Sequence, residues 1–263
     1  MLCQTIWHFC LKLSVMKSSA IFKCITSAAF IVLCFFIIGA KPKQPKPRVL
    51  IFSKTNGYRH ASIAAGIAAI KKIGAENEFD VDATEDSMSF SNDNLKKYAA
   101  LIFLSTTGKI FGPDEEKALQ QYIHNGGGFV GIHAATDCEY DWQWYGDLVG
   151  GYFKSHPKQQ MAKFIVVDKT HPSTKHLPDV WERFDELYNF KYLNPKITVL
   201  IKIDEKSYTG GENGDNHPMA WYHEYEGGRA FYTELGHTDE SYSDPNYLKH
   251  LLGGIQWAIE KKN

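Results

Sequence analysis

The sequence predicts an α/β fold: a mostly parallel, doubly wound sheet with helices on both faces and a β-rich C-terminal elaboration. From Arg48 onward, short apolar runs rich in branched residues alternate with segments of helical periodicity, and strands predominate in the second half. Strands covered on both faces form such continuous apolar runs, and helices serve as the crossovers between them. The 263 residues suffice for one sizeable core. We therefore predict a single domain over residues 48–263.

Four strands are predicted in the first half of this domain, at residues 48–54, 79–85, 99–106 and 128–134. The second of them alternates apolar and polar residues, as an edge strand does. Isoleucines at helical spacing follow Ser62, a predicted N-cap. Pro113 and the three acidic residues after it begin another helix, which the glycines at 126–128 end.

The second half of the domain is richer in strands, which we predict at residues 161–168, 198–204, 219–225 and 228–236. The chain closes on a helix with Asp244 as its N-cap and Pro245 in its first turn. An apolar stripe on this helix runs to Ile259. These strands form the predicted β-rich elaboration.

The first forty residues have the pattern of a secretory signal. They contain three lysines and no acidic residue, and an apolar run ends at Ala40. An uncleaved membrane anchor is the alternative, and Met16 is an alternative start. Residues 41–47 alternate proline and lysine in the manner of a solvated tether. We expect an exported protein, periplasmic or extracytoplasmic, that touches a membrane only through this segment if it is uncleaved.

Charge and cysteine content exclude two classes of protein. Without the three lysines of the leader, 26 basic residues stand against 30 acidic ones, and no basic stripe suggests binding to nucleic acid. Four of the five cysteines lie in the leader, so the domain keeps only Cys138 and cannot hold a disulfide framework. Residues 126–131 spell G-x-G-x-x-G, but they follow a helix and open a strand. This order is the reverse of the dinucleotide fingerprint, so we expect no nicotinamide or flavin.

The sequence "GIHAA" at 131–135 resembles a nucleophile elbow with a histidine at its centre. An elbow needs small residues two before and two after its central position, and Gly131 and Ala135 provide them around His133. A histidine tolerates the strained backbone of such a turn better than a branched residue does. The alternative is a strand-end histidine bonded to a nearby carbonyl. The elbow spacing favours a functional role for His133.

Ligands of open parallel sheets bind beyond the carboxyl ends of the strands. Three segments should meet there, at residues 54–60, 105–109 and 133–137. They supply four candidate substrate-binding residues: Tyr58, Arg59, His60 and Thr107. Further histidines follow at His156, His171, His217, His223 and His237. We expect His124 and His250, on predicted helices, to lie at the surface.

Together with Asp137 and Glu186, these histidines offer either acid/base groups or metal ligands. Their spacing is not that of H-E-x-x-H or of a zinc finger. A divalent transition metal is therefore one alternative, and its first ligands would be His133, His156, His217 and His237. Acid/base chemistry without a metal is the other alternative.

Several segments together resemble the trehalose-utilisation (ThuA-like) family: "FSKTNGYRHASI", "GGGFVGIHAATD", "FKSHP", "DKTHPSTKHLP", "FDELYNF", "HPMAWYHEYEGGRAFYTELGH" and "LLGGIQWAI". That family belongs to the class I glutamine amidotransferase-like superfamily, which implies a flavodoxin-like fold. It is linked to sugar utilisation, including disaccharides handled through 3-keto intermediates. True amidotransferases carry cysteine where this sequence has His133. Because no thioester can form there, amidotransferase activity is disfavoured.

We therefore expect an exported enzyme, a hydrolase, lyase or isomerase, that acts on a saccharide or keto-sugar derivative. The predicted catalytic residues are His133, Asp137, Glu186 and His237. The predicted substrate-binding residues are Tyr58, Arg59, His60, Thr107, His156, His217 and Trp221. A non-catalytic carbohydrate-binding or scaffold protein is the second hypothesis, and a hydrolase that uses Cys138 is the third.

Overall fold

The computed structural model describes residues 45–260. The predicted leader at 1–40 and most of the tether at 41–47 lie outside these residues, so both remain predictions. Within the described residues, no helix is long and apolar enough to cross a membrane.

The described residues form eleven strands: β1 (Arg48–Phe52), β2 (Asp80–Thr84), β3 (Ala100–Leu104), β4 (Gly128–Ile132), β5 (Gly151–Ser155), β6 (Gln160–Val166), β7 (Val180–Asp185), β8 (Asn189–Leu193), β9 (Thr198–Ile203), β10 (Pro218–Tyr225) and β11 (Gly228–Thr233). Nine of them make one sheet in the order β2-β1-β3-β4-β11-β10-β9-β6-β7. Strands β5 and β8 pair separately, antiparallel to each other. The predicted edge strand is indeed at the edge, as β2.

The sheet is mixed, so the prediction of a mostly parallel sheet is only partly right. Strands β2, β1, β3, β4 and β11 run parallel, whereas β10, β9, β6 and β7 are antiparallel to their neighbours. The direction reverses at the two-residue turn Glu226–Gly227, where φ is 45° and 99°. Positive φ at both residues is the geometry of a tight hairpin. The β-rich elaboration therefore continues the same sheet.

Five helices accompany these strands: α1 (Ile63–Glu76), α2 (Asn92–Leu95), α3 (Pro113–His124), α4 (Gln143–Val149) and α5 (Pro245–Ile259). Asp244 caps α5 as predicted, because its side chain accepts a hydrogen bond from the Asn246 amide at 2.8 Å. Ser62 does not cap α1. Its hydroxyl instead donates to the carbonyl of Gly236 at 3.2 Å and ties α1 to the loop after β11.

Helices cover both faces of the sheet at β4, where two glycines permit close packing. A Cβ on Gly128 would lie 2.3 Å from the Ala258 carbonyl oxygen of α5, and a Cβ on Gly131 would lie 3.2 Å from Val149 of α4. Successive residues of a strand point to opposite faces, so positions three apart face opposite sides. The core is therefore built on both sides of β3 and β4, whose residues are all buried.

Candidate functional site

The loops beyond the carboxyl ends of the parallel strands meet, as the sequence predicts. Thr55, after β1, pairs with Thr107, after β3, in an isolated bridge. Gly108 pairs in the same way with Cys138, after β4. Because these loops are joined by backbone contacts, the side chains that they carry are held close together.

His133 occupies the bend directly after β4 in a left-handed backbone conformation, with φ of 51°. Few residues other than glycine adopt this conformation, and histidine is among those that tolerate it. Its neighbours must be small: a Cβ on Gly131 would lie 2.9 Å from the Tyr232 ring and 3.3 Å from the Ala135 Cβ. The geometry agrees with the elbow predicted from "GIHAA".

The His133 ring lies at the centre of a buried cluster that four distant segments contribute. Its Nε2 is 3.2 Å from Nε2 of His60 and 3.1 Å from Nδ1 of His237. The Glu186 Oε2 atom lies 3.4 Å from His133 Nε2 and 3.1 Å from His237 Nδ1. All four donor atoms lie within 4.8 Å of one another. We refer to His60, His133, Glu186 and His237 as the histidine–glutamate cluster.

Two hydrogen bonds, one with β11 and one with the residue that follows it, fix the orientation of His133. Nδ1 of the ring donates to the backbone carbonyl of Glu234 at 2.7 Å. The Tyr232 hydroxyl donates to the backbone carbonyl of His133 at 2.7 Å. When Nδ1 of a neutral imidazole carries the proton, Nε2 presents a lone pair. The sheet therefore aims an unprotonated nitrogen into the cluster.

The loop that carries His237 is held by a buried carboxylate at the end of β7. Asp185 accepts hydrogen bonds from the backbone amides of Gly236 and His237, at 3.2 and 3.1 Å. Arg183 donates to the same carboxylate at 2.9 Å and is itself buried. Asp185 is thus a positioning residue for His237, and Glu186 follows it directly in the chain.

The protonation preferences of the cluster follow from burial and from mutual contact. Burial, with the neighbouring His133 and His237, lowers the pKa of His60 to about 3. Burial alone would raise the pKa of Glu186, but contact with His133 and His237 outweighs it and holds that pKa well below its usual range. Burial opposes the charged form of His237, but contact with Glu186 raises its pKa above the ordinary value. Glu186 is therefore a buried carboxylate anion.

A pocket of about 440 Å³ opens above the cluster. Its walls are formed by Tyr58, His60, Asp137, Phe153, His156, Gln159, Glu186, Tyr188 and His237. His156 Nδ1 lies 3.3 Å from the second oxygen of Glu186, so the carboxylate is contacted on both sides. The volume lies in the range of small-molecule sites in proteins.

Asp137 is the second carboxyl group in the pocket wall. Burial raises its pKa above the ordinary value, although the Tyr140 hydroxyl donates to it at 2.6 Å and lowers it in part. A raised pKa suits a group that gives up a proton to a substrate. Asp137 and Glu186 thus share one pocket, and their environments push their pKa values in opposite directions.

The structure separates four predicted site residues from the cluster. Arg59 is exposed and pairs with Glu85 at 2.6 Å, because its long side chain extends into solvent. Thr107 donates its hydroxyl to the backbone carbonyl of Tyr58 at 2.8 Å, so it positions the loop.

The other two, His217 and Trp221, are packing residues of β10 and the turn before it. His217 bonds the Glu205 carboxylate and the Tyr188 carbonyl, both at 2.7 Å. Trp221 is fully buried and donates to the Val149 carbonyl. The expectation that His217 and Trp221 join the site is wrong.

Of the four predicted metal ligands, His133 and His237 lie in the cluster, and His156 stands at the pocket wall. His60, expected to bind substrate, lies in the cluster with Glu186. Sequence reasoning missed Phe153, Gln159 and Tyr188, which come from the antiparallel part of the chain and carry no motif. The prediction that His250 lies at the surface is wrong, because His250 is fully buried and contacts the Ser173 carbonyl.

Cys138 does not reach the pocket. It is fully buried, and burial with the neighbouring Glu139 raises the pKa of its thiol well above the usual range. A nucleophilic cysteine needs an accessible thiolate. The hypothesis of a hydrolase that uses Cys138 therefore has no support in the geometry.

The fold and the positive φ of His133, directly after β4, define an α/β protein with a nucleophile-elbow-like turn. A histidine occupies the central position of that turn. The chain belongs to the ThuA family, described as trehalose utilisation, which it matches over residues 48–258. A search among curated proteins gives no significant match.

Solved structures show the same fold. A ThuA-like protein from Bacteroides uniformis is 25% identical, with a TM-score of 0.71 over 86% of this chain and 96% of that chain. A ThuA-like protein from Parabacteroides merdae is 23% identical, with a TM-score of 0.67 over 81% and 90% of the two chains. A cytoplasmic protein from Salmonella typhimurium, 14% identical with a TM-score of 0.58 over 81% and 99%, shares the fold alone.

Proposed function

We propose that this protein is an enzyme that acts on a saccharide or keto-sugar derivative in the pocket above the histidine–glutamate cluster. The observation that carries the proposal is the convergence of three histidines and one glutamate from four distant segments, of which His60, Glu186 and His237 line an open pocket and His133 lies buried behind them. Burying that many ionisable groups together is unfavourable for folding, so such clusters mark functional sites. The family's description, trehalose utilisation, supports a sugar as the substrate.

The walls of the pocket suit a sugar ring. Tyr58 is 67% exposed in the pocket wall. The ring centroids of Phe153 and Tyr188, which also line the pocket, lie 4.3 Å apart. Aromatic side chains offer an apolar face to the C–H surface of a sugar, while polar groups bind its hydroxyls. Gln159 and His156 provide such polar groups.

Asp137 is the group that we assign to proton transfer. It lies in the pocket wall and retains its proton to higher pH than an ordinary aspartate does. Proton transfer to a leaving oxygen, or beside a carbonyl, is the step that hydrolases, lyases and isomerases of sugars share. Nε2 of His133 faces His60, Glu186 and His237, which line the same pocket, and Glu186 orients the histidines around it.

The experiment is a turnover screen against disaccharides and their 3-keto derivatives, with products identified by NMR. We expect turnover of at least one substrate, and a fall in kcat of about 100-fold or more in Asp137→Asn. Asp80→Asn, an exposed change at the start of β2, is the matched control and should retain wild-type kcat. Sugar binding without turnover in the wild type would contradict the proposal and support the alternative, a non-catalytic carbohydrate-binding protein.

A further inference from the structure

We propose that His60, His133, Glu186 and His237 bind one divalent transition metal ion, and that Zn²⁺ fits the site best. The inference deepens the proposed function, because the same cluster forms the floor of the substrate pocket. It revises the ligand set that the sequence suggests, since His60 and Glu186 replace His156 and His217. Metal binding can be measured without turnover, so each proposal can fail alone.

Four of the six separations between the donor atoms match the edges of a tetrahedron around a zinc ion. With Zn–N distances of 2.0–2.1 Å, neighbouring donors of a regular tetrahedron lie roughly 3.3 Å apart. The four separations given for the cluster run from 3.1 to 3.4 Å. All donor atoms lie within 4.8 Å of one another. Three imidazoles with one carboxylate are a donor set that suits zinc and neighbouring transition metals.

The hydrogen bond at Nδ1 of His133 leaves its second ring nitrogen available as a ligand. Because Nδ1 of the neutral ring donates to the Glu234 carbonyl, Nε2 carries a lone pair directed into the cluster. His60, His237 and Glu186 all place a nitrogen or oxygen within 3.4 Å of that lone pair. A cation between the four atoms would satisfy all of them together.

The surroundings of the cluster support and orient the ligands in the way metal sites require. Ligating histidines commonly bond their second nitrogen to a carbonyl, a carboxylate or an amide. His133 bonds the Glu234 carbonyl, and His237 Nε2 lies 2.7 Å from the side-chain amide of Gln159. The amide nitrogen of Gln159 is the nearer atom, and turning the amide by 180° would let its oxygen accept the Nε2 proton and leave Nδ1 of His237 free to ligate. With four protein ligands, the metal would have to accept a fifth ligand from the pocket in order to polarise a carbonyl or acidify a water molecule.

The test measures metal in the purified full-length protein by mass spectrometry, before and after reconstitution with Zn²⁺. We expect one equivalent in the wild type, and at least a tenfold loss of affinity in Glu186→Gln and in His237→Ala. His124→Ala removes an exposed histidine that pairs with Glu226 before β11, at the other end of β4 from the cluster, and is the matched control. It should retain one equivalent, because a surface histidine contributes only adventitious binding.

A second measurement replaces Zn²⁺ with Co²⁺ and records the visible spectrum. Intense d–d bands typical of four-coordinate cobalt are expected in the wild type and in His124→Ala, and not in Glu186→Gln. If the folded wild-type protein binds neither Zn²⁺ nor Co²⁺, the inference is overturned. Equal metal binding by the wild type and all variants would also overturn it. If sugar turnover then persists without metal, the proposed function stands without this inference. If metal binds and no sugar is turned over, the metal site stands and the proposed function is contradicted.

Discussion

Nδ1 of His133 donates to the backbone carbonyl of Glu234 at 2.7 Å, so the residue after β4 is oriented by the residue after β11. The two strands are parallel neighbours, with Ile132 paired to Thr233. Because the strands pair in parallel and in this register, their carboxyl ends lie side by side. A histidine tautomer that is usually ambiguous is fixed here by the backbone.

Tyr232→Phe tests how far this arrangement depends on β11. The change removes the hydroxyl that donates to the His133 carbonyl and contacts Thr136. Because a buried carbonyl then loses its partner, we expect a loss of about 1–3 kcal/mol in the free energy of unfolding. Tyr222→Phe is the control, since no hydrogen bond of its hydroxyl is found within residues 45–260. Equal stability of the two variants in urea denaturation would contradict the assignment.

Gly131→Val should destabilise the elbow itself. The added side chain would meet the Tyr232 ring, Val149 and Ala135 within 3.3 Å, all of them buried. We expect a cost of about 1–3 kcal/mol from overpacking. Ala83→Val places the same residue type on the exposed side of β2 and should change stability by less than about 0.5 kcal/mol. A cooperative Gly131→Val variant of wild-type stability would show that no tight bend exists.

Stability should fall in mild acid because of His250. Burial lowers its pKa to about 3 in the folded protein, against an ordinary value of 6.5. The unfolded chain therefore binds one more proton between these values, and stability decreases as pH falls below 6.5, by about 1.4 kcal/mol per pH unit. His250→Phe should remove this part of the slope between pH 4 and 6, whereas the part due to His171 remains. An unchanged slope in urea denaturation across this range would show that His250 does not titrate as stated.

Cys138 should be inert in the folded protein. Its thiol is fully buried with a raised pKa, so site-resolved mass spectrometry after iodoacetamide treatment should find it unmodified under native conditions. After denaturation it should react fully, and Cys138→Ser should retain turnover. Rapid alkylation of Cys138 in the native protein, together with loss of activity, would contradict this prediction and support a role for Cys138 in the site.

The sequence was sufficient for those parts of the fold and site that depend on local pattern. The elbow follows from Gly131 and Ala135 around His133, and the meeting of the loops follows from parallel strands. Strand β7 was missed because its pattern is inverted: Arg183 and Asp185 face inward, while Val180 and Phe184 are exposed. Long-range contacts explain that inversion, because Asp185 accepts from Gly236 and His237 and Arg183 donates to Ser241. No local pattern contains these contacts.

Histidines were the hardest residues to place from sequence, because their role depends on which partners the fold supplies. His60, His217 and His250 are all buried, yet only His60 meets the cluster. His217 finds a carboxylate and a carbonyl, and His250 finds a carbonyl, each within a packed region. Glu186 could be suspected from sequence, but the pairing that holds it was visible only in the fold.

The most direct test of the account is kcat for sugar turnover in His133→Asn. Asparagine tolerates the positive φ at this position but lacks the imidazole, so the fold should persist while the chemistry is lost. We predict a fall in kcat of at least about 100-fold in a variant that still folds, with a loss of about 1–3 kcal/mol in the free energy of unfolding because the Glu234 carbonyl loses its partner. The exposed control His124→Asn should retain wild-type kcat. A folded His133→Asn enzyme with undiminished kcat would show that the cluster is not the reactive centre.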